Sequence, residues 1–160
     1  MTTLQVAQRG EDILRLIAAP IAQNELNMSW LNHFIEAMHE TMLARNGVGI
    51  AAPQVYLSKR IIIVASKPNS RYPDAPEMDA IVMINPEIIE SSENKIAGEE
   101  GCLSVDGERG QVSRASSIVV NYIDIHGDKI TSKFNGFPAR IVQHEIDHLN
   151  GILFVDYLSN

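Results

Sequence analysis

Apolar residues recur along the chain with two periods, and these periods predict where its helices and strands lie. One set of five stands four residues apart, namely Leu26, Trp30, Phe34, Met38 and Met42. This spacing predicts an amphipathic helix from about Asn27 that packs one stripe against a core. Asn46 and Gly47 should end it, because both residues tolerate the left-handed conformation of a helix C-terminus.

A second helix is predicted near the end of the chain. Gly136 and Pro138 precede a stretch whose apolar positions follow a helical period: Val142, Ile146 and Leu149. Gly151 stands where a left-handed cap commonly ends a helix. The sequence therefore predicts a helix over Pro138 to Asn150, with one face on the core.

Short apolar runs between the two helices predict strands. Ile61 to Val64 and Ala80 to Ile84 are bounded by polar residues or proline, and Glu87 to Glu90 is expected to pair with the second run as an edge strand. Ser66 to Asp79, which contains three prolines and several charges, predicts a surface loop. These runs indicate a sheet interrupted by one long connection.

A hairpin is predicted before the last helix. Ser117 to Ile125 partly alternates between apolar and polar residues, and Lys129 to Phe134 follows the turn residues His126-Gly127-Asp128. The two segments should therefore pair as antiparallel strands.

Composition narrows the class of protein. The chain has 160 residues, of which 45% are hydrophobic and 21% charged, as expected for one soluble domain with a sizeable core. Its net charge of -7 argues against a broad nucleic-acid or acidic-membrane surface and favours small molecules or peptides as partners. The first residues lack a basic start with a long apolar run, and no stretch is as long as a membrane span, so the cytoplasm is the expected location.

The candidate chemistry lies in the predicted last helix. His144 and His148 are four residues apart, so they leave the same helix face and can bind one cation. Glu145, next to the first histidine, is the candidate base that takes a proton from metal-activated water. The alternative is a solvated face with two chance histidines. It is less consistent with two of only five histidines flanking a glutamate.

A metal site needs a third ligand, and Cys102 is the obvious candidate. It is the only cysteine, so the chain has no internal disulfide, and Gly101 before it lets the backbone approach a congested centre. The alternative reading is a buried packing cysteine. Gly47 to Gln54 lacks the glycine spacing of a nucleotide loop, and either a tight turn or close backbone contact with a substrate explains it.

Three segments together resemble the peptide deformylases, metal-dependent enzymes that remove the formyl group from N-formylmethionyl peptides. The matching motifs occur in the family's order and are Gly47-Val48-Gly49-Ile50-Ala51-Ala52-Pro53-Gln54, Glu100-Gly101-Cys102-Leu103-Ser104 and Gln143-His144-Glu145-Ile146-Asp147-His148. Asp12 to Ile21 and Ile84-Asn85-Pro86 extend the resemblance over nearly the whole chain. It implies an α+β fold of one domain, residues 1–160, with antiparallel strands surrounding a central C-terminal helix.

The resemblance also implies roles for single residues. The implied metal ligands are Cys102, His144 and His148, with Glu145 as acid/base catalyst and Gln54 and the Leu103 backbone N–H as donors to the formyl oxygen. Iron(II) is the implied native ion, and zinc, nickel or cobalt can take its place. The implied substrate-binding residues are Val48, Gly49, Gly101, Arg109, Phe137 and Ile141.

Arg140 departs from the family pattern, since it lies in the turn that edges the methionine pocket. We expect its side chain to reach outward to solvent or to narrow the pocket. The implied partners are N-formylmethionyl peptides and, transiently, the ribosome, although many members carry their ribosome-docking tail beyond the position of Asn160.

Two other functions compete with deformylation. A zinc endopeptidase shares the helical motif but generally takes its third ligand downstream, where only nine residues follow Gly151 and Asp156 is the sole acidic one. A non-catalytic, deformylase-like metal-binding protein is the other. Glu145 and Gln54 argue against it, because neither is needed merely to hold an ion.

Overall fold

The computed structural model describes residues 3–158. Within that range the helices are α1, Ser29–Ala44, and α2, Gly136–Leu149. The strands are β1, Gly49–Ala51; β2, Ile61–Ser66; β3, Met78–Ser91; β4, Lys95–Cys102; β5, Val105–Ala115; β6, Ser117–Ile123; and β7, Lys129–Asn135. Neither helix is long and apolar enough to cross a membrane.

Antiparallel strands enclose α2. Five of them form one sheet in the order β1-β2-β3-β6-β7, and β4 pairs with β5 in a separate two-stranded sheet. Helix α2 contacts β1, β2 and β7 of the larger sheet and β5 of the smaller one. Nine of its fourteen residues are buried, as expected for a helix covered on more than one side. The predicted α+β class with a central C-terminal helix is confirmed.

The first helix is confirmed, but its predicted core stripe is partly wrong. Leu31, Ile35, Met38 and Met42 are buried, whereas Trp30 is 36% exposed. A helix turns every 3.6 residues, so positions spaced strictly by four drift around its surface. The buried residues instead follow steps of four, three and four, which keeps them on one face.

The predicted edge strand at Glu87 to Glu90 is wrong. These residues continue β3 without a break in the strand and pair with β6, so β3 is an inner strand of the sheet. Asn85, with a φ of 52°, lies where the register between the two strands shifts. Its side chain binds the backbone N–H and carbonyl of Ile21, which holds the N-terminal segment against the sheet.

The predicted hairpin and last helix are confirmed. Ser117 pairs with Asn135 and Ile123 with Lys129, so β6 and β7 are in register along their whole length. Gly151 has a φ of 74° and follows α2 as a left-handed cap. The sequence patterns did not predict β5, nor the pairing that carries Cys102 to the end of β4.

Candidate metal centre and active site

Three side chains that are candidate metal ligands converge beside α2. Their ligand atoms, the Cys102 sulfur and one ring nitrogen each of His144 and His148, all lie within 4.8 Å of one another. The Cys102 Sγ is 3.3 Å from the His148 Nε2, and all three residues are buried. The two histidines share a helix face, and β4 ends with the thiol beside them, so the structure brings together the three residues predicted as ligands.

Glu100 fixes the orientation of one of these histidines. Its Oε1 accepts a hydrogen bond from the His144 Nδ1 at 2.9 Å, which leaves the Nε2 of that ring for a metal. The carboxylate is only 2% exposed and accepts two hydrogen bonds from Arg114 and one from Arg140. Such support favours one tautomer and one ring orientation.

These contacts shift the pKa values of the buried groups. Burial opposes ionisation of Glu100, but hydrogen bonds from Arg114 and His144 outweigh it and hold the pKa of this carboxyl well below its usual range. Burial lowers the pKa of His144, yet hydrogen bonds with Cys102 and Glu100 raise it well above its ordinary value. Burial, reinforced by the charge on His144, holds the pKa of His148 well below the ordinary value. A metal-bound nitrogen carries no proton, so cation binding at this centre depends on pH.

Glu145 has the properties of a proton carrier. It is 4% exposed, and its Oε1 is buried without a hydrogen-bond partner among the described residues. Burial raises the pKa of Glu145 to about 7, against the lowering influence of the charge on His144. A carboxyl group that titrates near neutrality both accepts and donates protons there. An ideal Cβ on Gly49 would lie 2.6 Å from its Oε2, so only glycine leaves this carboxylate its space.

Gln54 is held with its amide directed at the thiol. It lies in a 3-10 turn, Ala52–Val55, that follows β1 directly. Its Oε1 accepts a hydrogen bond from the Ala51 N–H at 2.9 Å, while its Nε2 donates to the Ser104 Oγ at 3.0 Å and lies 3.5 Å from the Cys102 Sγ. Because both ends of the amide are fixed, the second N–H bond of the Nε2 stays close to the centre.

Leu103 lies in the turn between β4 and β5, directly after Cys102. The Gln8 side chain donates a hydrogen bond to its carbonyl at 3.1 Å, and the Arg9 N–H donates to the Ser104 carbonyl at 2.7 Å. The N-terminal segment therefore holds the backbone of this turn, including the Leu103 peptide group, in one position beside the candidate ligands.

A pocket opens over the centre. Most of the residues predicted to bind substrate line it: Val48, Gly49, Gly101, Phe137 and Ile141. It is also lined by Gln54, Cys102, Leu103, His144 and Glu145, and His148 is not among its lining residues. Arg109 lies in a neighbouring groove that shares Gly101, Cys102 and Leu103 with the pocket. The roles of all these residues in substrate binding stay predictions.

The long loop after β2 supplies two further residues that the sequence patterns missed. Arg71 and Tyr72 line the pocket. The Tyr72 hydroxyl accepts a hydrogen bond from the Gly101 N–H at 3.1 Å, and its ring packs on Phe137 at 5.1 Å between centroids. The Arg109 guanidinium lies over the same Tyr72 ring, 4.8 Å from its centroid. A loop without periodicity gives no signal for such contacts, which arise only when the chain folds back over β4.

The residues at the centre fit a divalent cation. One thiol sulfur and two imidazole nitrogens match the three-ligand donor set of catalytic tetrahedral metal sites. The unpartnered Glu145 Oε1 beside them is the kind of buried polar atom that a metal-bound water or a substrate satisfies. Asp156, the third ligand that an endopeptidase would need, instead accepts two hydrogen bonds from Arg15.

Known proteins resemble this chain in sequence and fold. A family model described as polypeptide deformylase matches residues 3–160. Peptide deformylase 2 of Nostoc sp. is 46% identical over 157 residues, which cover 98% of this chain and 87% of that protein. A Met-Ala-Ser-bound crystal structure of the class I type b peptide deformylase from Acinetobacter baumannii is 66% identical, with a TM-score of 0.96 over 98% of this chain and 99% of that one. The peptide deformylase structure from Thermotoga maritima is 33% identical, with a TM-score of 0.87 over all of both chains.

These matches agree in fold and span nearly the whole chain, including the residues from which the candidate metal centre is built. The chain therefore belongs to the polypeptide deformylase family and is a metal-dependent hydrolase that removes N-formyl groups.

Proposed function

We propose that this deformylase cleaves the formyl group of N-formylmethionyl peptides at the centre formed by Cys102, His144 and His148, with Glu145 as its proton carrier. The observation that carries the proposal is one arrangement of buried groups. Three ligand atoms lie within 4.8 Å of one another, and a carboxylate with one unpartnered oxygen stands directly beside them. Holding an ion needs only the ligands, so the carboxylate points to hydrolysis.

A divalent cation bound there supplies Lewis acidity, which activates water and polarises the formyl carbonyl. Glu145 takes the proton that the attacking water loses and gives it to the peptide nitrogen as the C–N bond breaks. The products are formate and a peptide with a free amino terminus. A pKa near 7 suits both transfers, since the same group must accept a proton and then release it.

Gln54 and Leu103 are the proposed donors to the formyl oxygen. Negative charge develops on this oxygen when water adds to the carbonyl carbon, and a preorganised N–H donor stabilises that charge without moving. The fixed amide of Gln54, 3.5 Å from the Cys102 sulfur, is prepared for this role. The Leu103 N–H belongs to the turn that Gln8 and Arg9 hold in place.

The peptide is proposed to bind in an extended form along the backbone of Gly49 and Gly101, as a strand adds to a sheet edge. Val48, Phe137 and Ile141 then contact the methionine side chain, and Tyr72 closes the same pocket through its contact with Phe137. Arg109 lies in the adjoining groove, where residues farther along the peptide would pass. The tripeptide Met-Ala-Ser is bound in the relative from Acinetobacter baumannii.

The test is formate release from formyl-Met-Ala-Ser under anaerobic conditions with added iron(II). Acetyl-Met-Ala-Ser and an internal peptide without a formyl group serve as the comparison substrates. We expect stoichiometric formate with one new free amine and no internal cleavage. Release of internal fragments would instead support the endopeptidase, and binding of metal without turnover would support the non-catalytic protein.

Removing the Gln54 amide should slow the reaction strongly without removing the metal. Losing one oxyanion donor typically raises a barrier by about 3 to 4 kcal/mol, so we expect Gln54→Leu to lower kcat by roughly 10²- to 10³-fold. Metal content by elemental analysis and folding by circular dichroism should match the wild type. A variant with full metal and near-normal kcat would show that Gln54 does not stabilise the transition state.

The proposed native ion is iron(II), as the resemblance to the family implies, and a thiolate with two imidazoles can bind it as well as zinc. Residues 1–160 act as one catalytic domain located in the cytoplasm. The enzyme meets its substrate through transient association with the ribosome. In many family members the docking tail follows the position of Asn160, and that residue lies outside the described residues.

A further inference from the structure

One glycine inside β4 has no conformational reason to be glycine. Gly98 is absent from the glycines with positive φ, so its backbone conformation suits any residue. Glycine in the middle of a strand is unfavourable and often marks a close approach by another group. An ideal Cβ at Gly98 would lie 2.8 Å from the Cζ and 2.9 Å from the Nη2 of Arg140. Gly98 therefore makes room for the guanidinium of Arg140.

The side chain of Arg140 occupies this space beneath the β4–β5 sheet, and its guanidinium does not extend into solvent. It is 8% exposed. Its Nη1 donates to the Glu100 Oε2 at 2.8 Å and to the Val112 carbonyl at 2.7 Å, and its Nη2 donates to the Ile96 carbonyl at 2.6 Å. The guanidinium thus joins α2 to both strands of the β4–β5 sheet and to Glu100.

Arg140 and the candidate ligand His144 lie one helical turn apart on α2, and both bind Glu100. Arg140 donates to one oxygen of the carboxylate, and the His144 Nδ1 donates to the other at 2.9 Å. A closed ring of contacts therefore runs from the helix through Arg140 and Glu100 back to His144. Arg114 also binds both oxygens from β5, and its Nη1 donates to the Asp147 carboxylate of α2 at 2.6 Å, so it reaches the helix through a second side chain. Arg140 belongs to the helix itself and connects it to Glu100 directly.

We propose that Arg140, in the space left by Gly98, is a positioning residue for the metal centre. It fixes the Glu100 carboxylate relative to α2 and thereby holds the His144 ring with its Nε2 toward Cys102 and His148. This inference rests on the proposed metal centre. Packing alone would not favour an arginine here, because burying a charge is costly. An apolar residue of similar volume often stabilises the fold at least as well as a buried ion pair does.

The test uses cobalt(II) binding, which is read without turnover. We compare wild type with Arg140→Met, Gly98→Ala and the double variant by anaerobic cobalt titration, following the visible absorption of the bound ion. Loss of an outer partner of a metal ligand typically weakens metal binding about 10- to 100-fold, and we expect that range for Arg140→Met. Gly98→Ala should weaken cobalt binding and change the cobalt spectrum in the same direction as Arg140→Met. The alanine methyl group moves the Arg140 guanidinium out of its place, although the arginine itself is retained.

The double variant distinguishes coupling from two separate defects. If Gly98 acts only through Arg140, the double variant should bind cobalt no more weakly than Arg140→Met alone. Lys133→Met is the control, because it removes an exposed positive charge on β7, and it should leave cobalt binding unchanged. If Arg140→Met fails to fold, Gly98→Ala, which retains the arginine, carries the test.

Kinetics with saturating metal separate positioning from substrate contact. A positioning residue should lower kcat for formyl-Met-Ala-Ser with little change in KM, whereas a residue that only edges the methionine pocket should raise KM alone. Wild-type cobalt affinity and spectrum in both single variants would overturn the inference. Wild-type protein that binds no cobalt would instead overturn the proposed metal centre, so the two failures are distinguishable.

Discussion

Glu145→Gln is expected to bind metal at the wild-type level and to lose nearly all deformylase turnover. The substitution keeps the shape of the side chain but removes the carboxylate. Glu145 lies beside the candidate ligands and is not one of them. General acid–base catalysis typically contributes about 10²- to 10⁴-fold to a rate, and here one group serves two proton transfers, so we expect a loss of kcat toward the upper end of that range.

Formate release and elemental analysis on the same preparation check this expectation. Glu90→Gln is the matched control, because it removes an equal charge from an exposed position of β3 and should retain full activity. Near-normal turnover in Glu145→Gln would exclude this residue as the proton carrier. Loss of metal together with activity would assign it a ligand role instead.

Cys102→Ser is expected to produce the largest loss of metal affinity of any single change at the centre. Serine keeps the size of the side chain but replaces a thiolate by a hydroxyl group, which is a poor ligand for these ions. The loss should exceed the about 10- to 100-fold that removal of an outer-shell partner costs, because a direct ligand disappears. Turnover should fall with it at any limiting concentration of metal.

Cobalt(II) titration measures this effect directly. Wild type should show the near-ultraviolet absorption of a cobalt–thiolate bond, and the serine variant should lack it. His126→Asn, which changes an exposed histidine in the β6–β7 turn, is the control and should bind cobalt as the wild type does. Unchanged cobalt affinity in Cys102→Ser would remove the sulfur from the centre and leave the two histidines with a different third ligand.

Period and spacing predicted the helices better than the sheet. The four-residue interval between His144 and His148 fixes their common face, because a helix determines which residues are neighbours by itself. A strand acquires its partner only through the fold. Glu87 to Glu90 therefore looked like a separate edge strand but continues β3 into its pairing with β6.

The motifs predicted candidate residues for the chemistry, and the structure adds the groups that support them. Glu100 belongs to the cysteine motif, yet nothing in its spacing shows that it holds the His144 ring. Arg140 was expected to reach solvent or to narrow the pocket. It lines the pocket and does not reach solvent, because its guanidinium turns under β4 into the space beside Gly98. A buried arginine is predictable only when the carbonyl groups and the carboxylate that receive it are known.

The loop after β2 shows the same limit. Its prolines and charges correctly predicted a surface connection, but Tyr72 contacts Gly101 and Phe137 across a large gap in sequence. Residue order by itself determined the family, the candidate ligands and the helix that presents two of them, because these depend on local spacing and on short motifs. Only the tertiary structure decided how Cys102 reaches that helix, which carboxylate orients His144 and what encloses the pocket, because those contacts join segments that lie far apart along the chain.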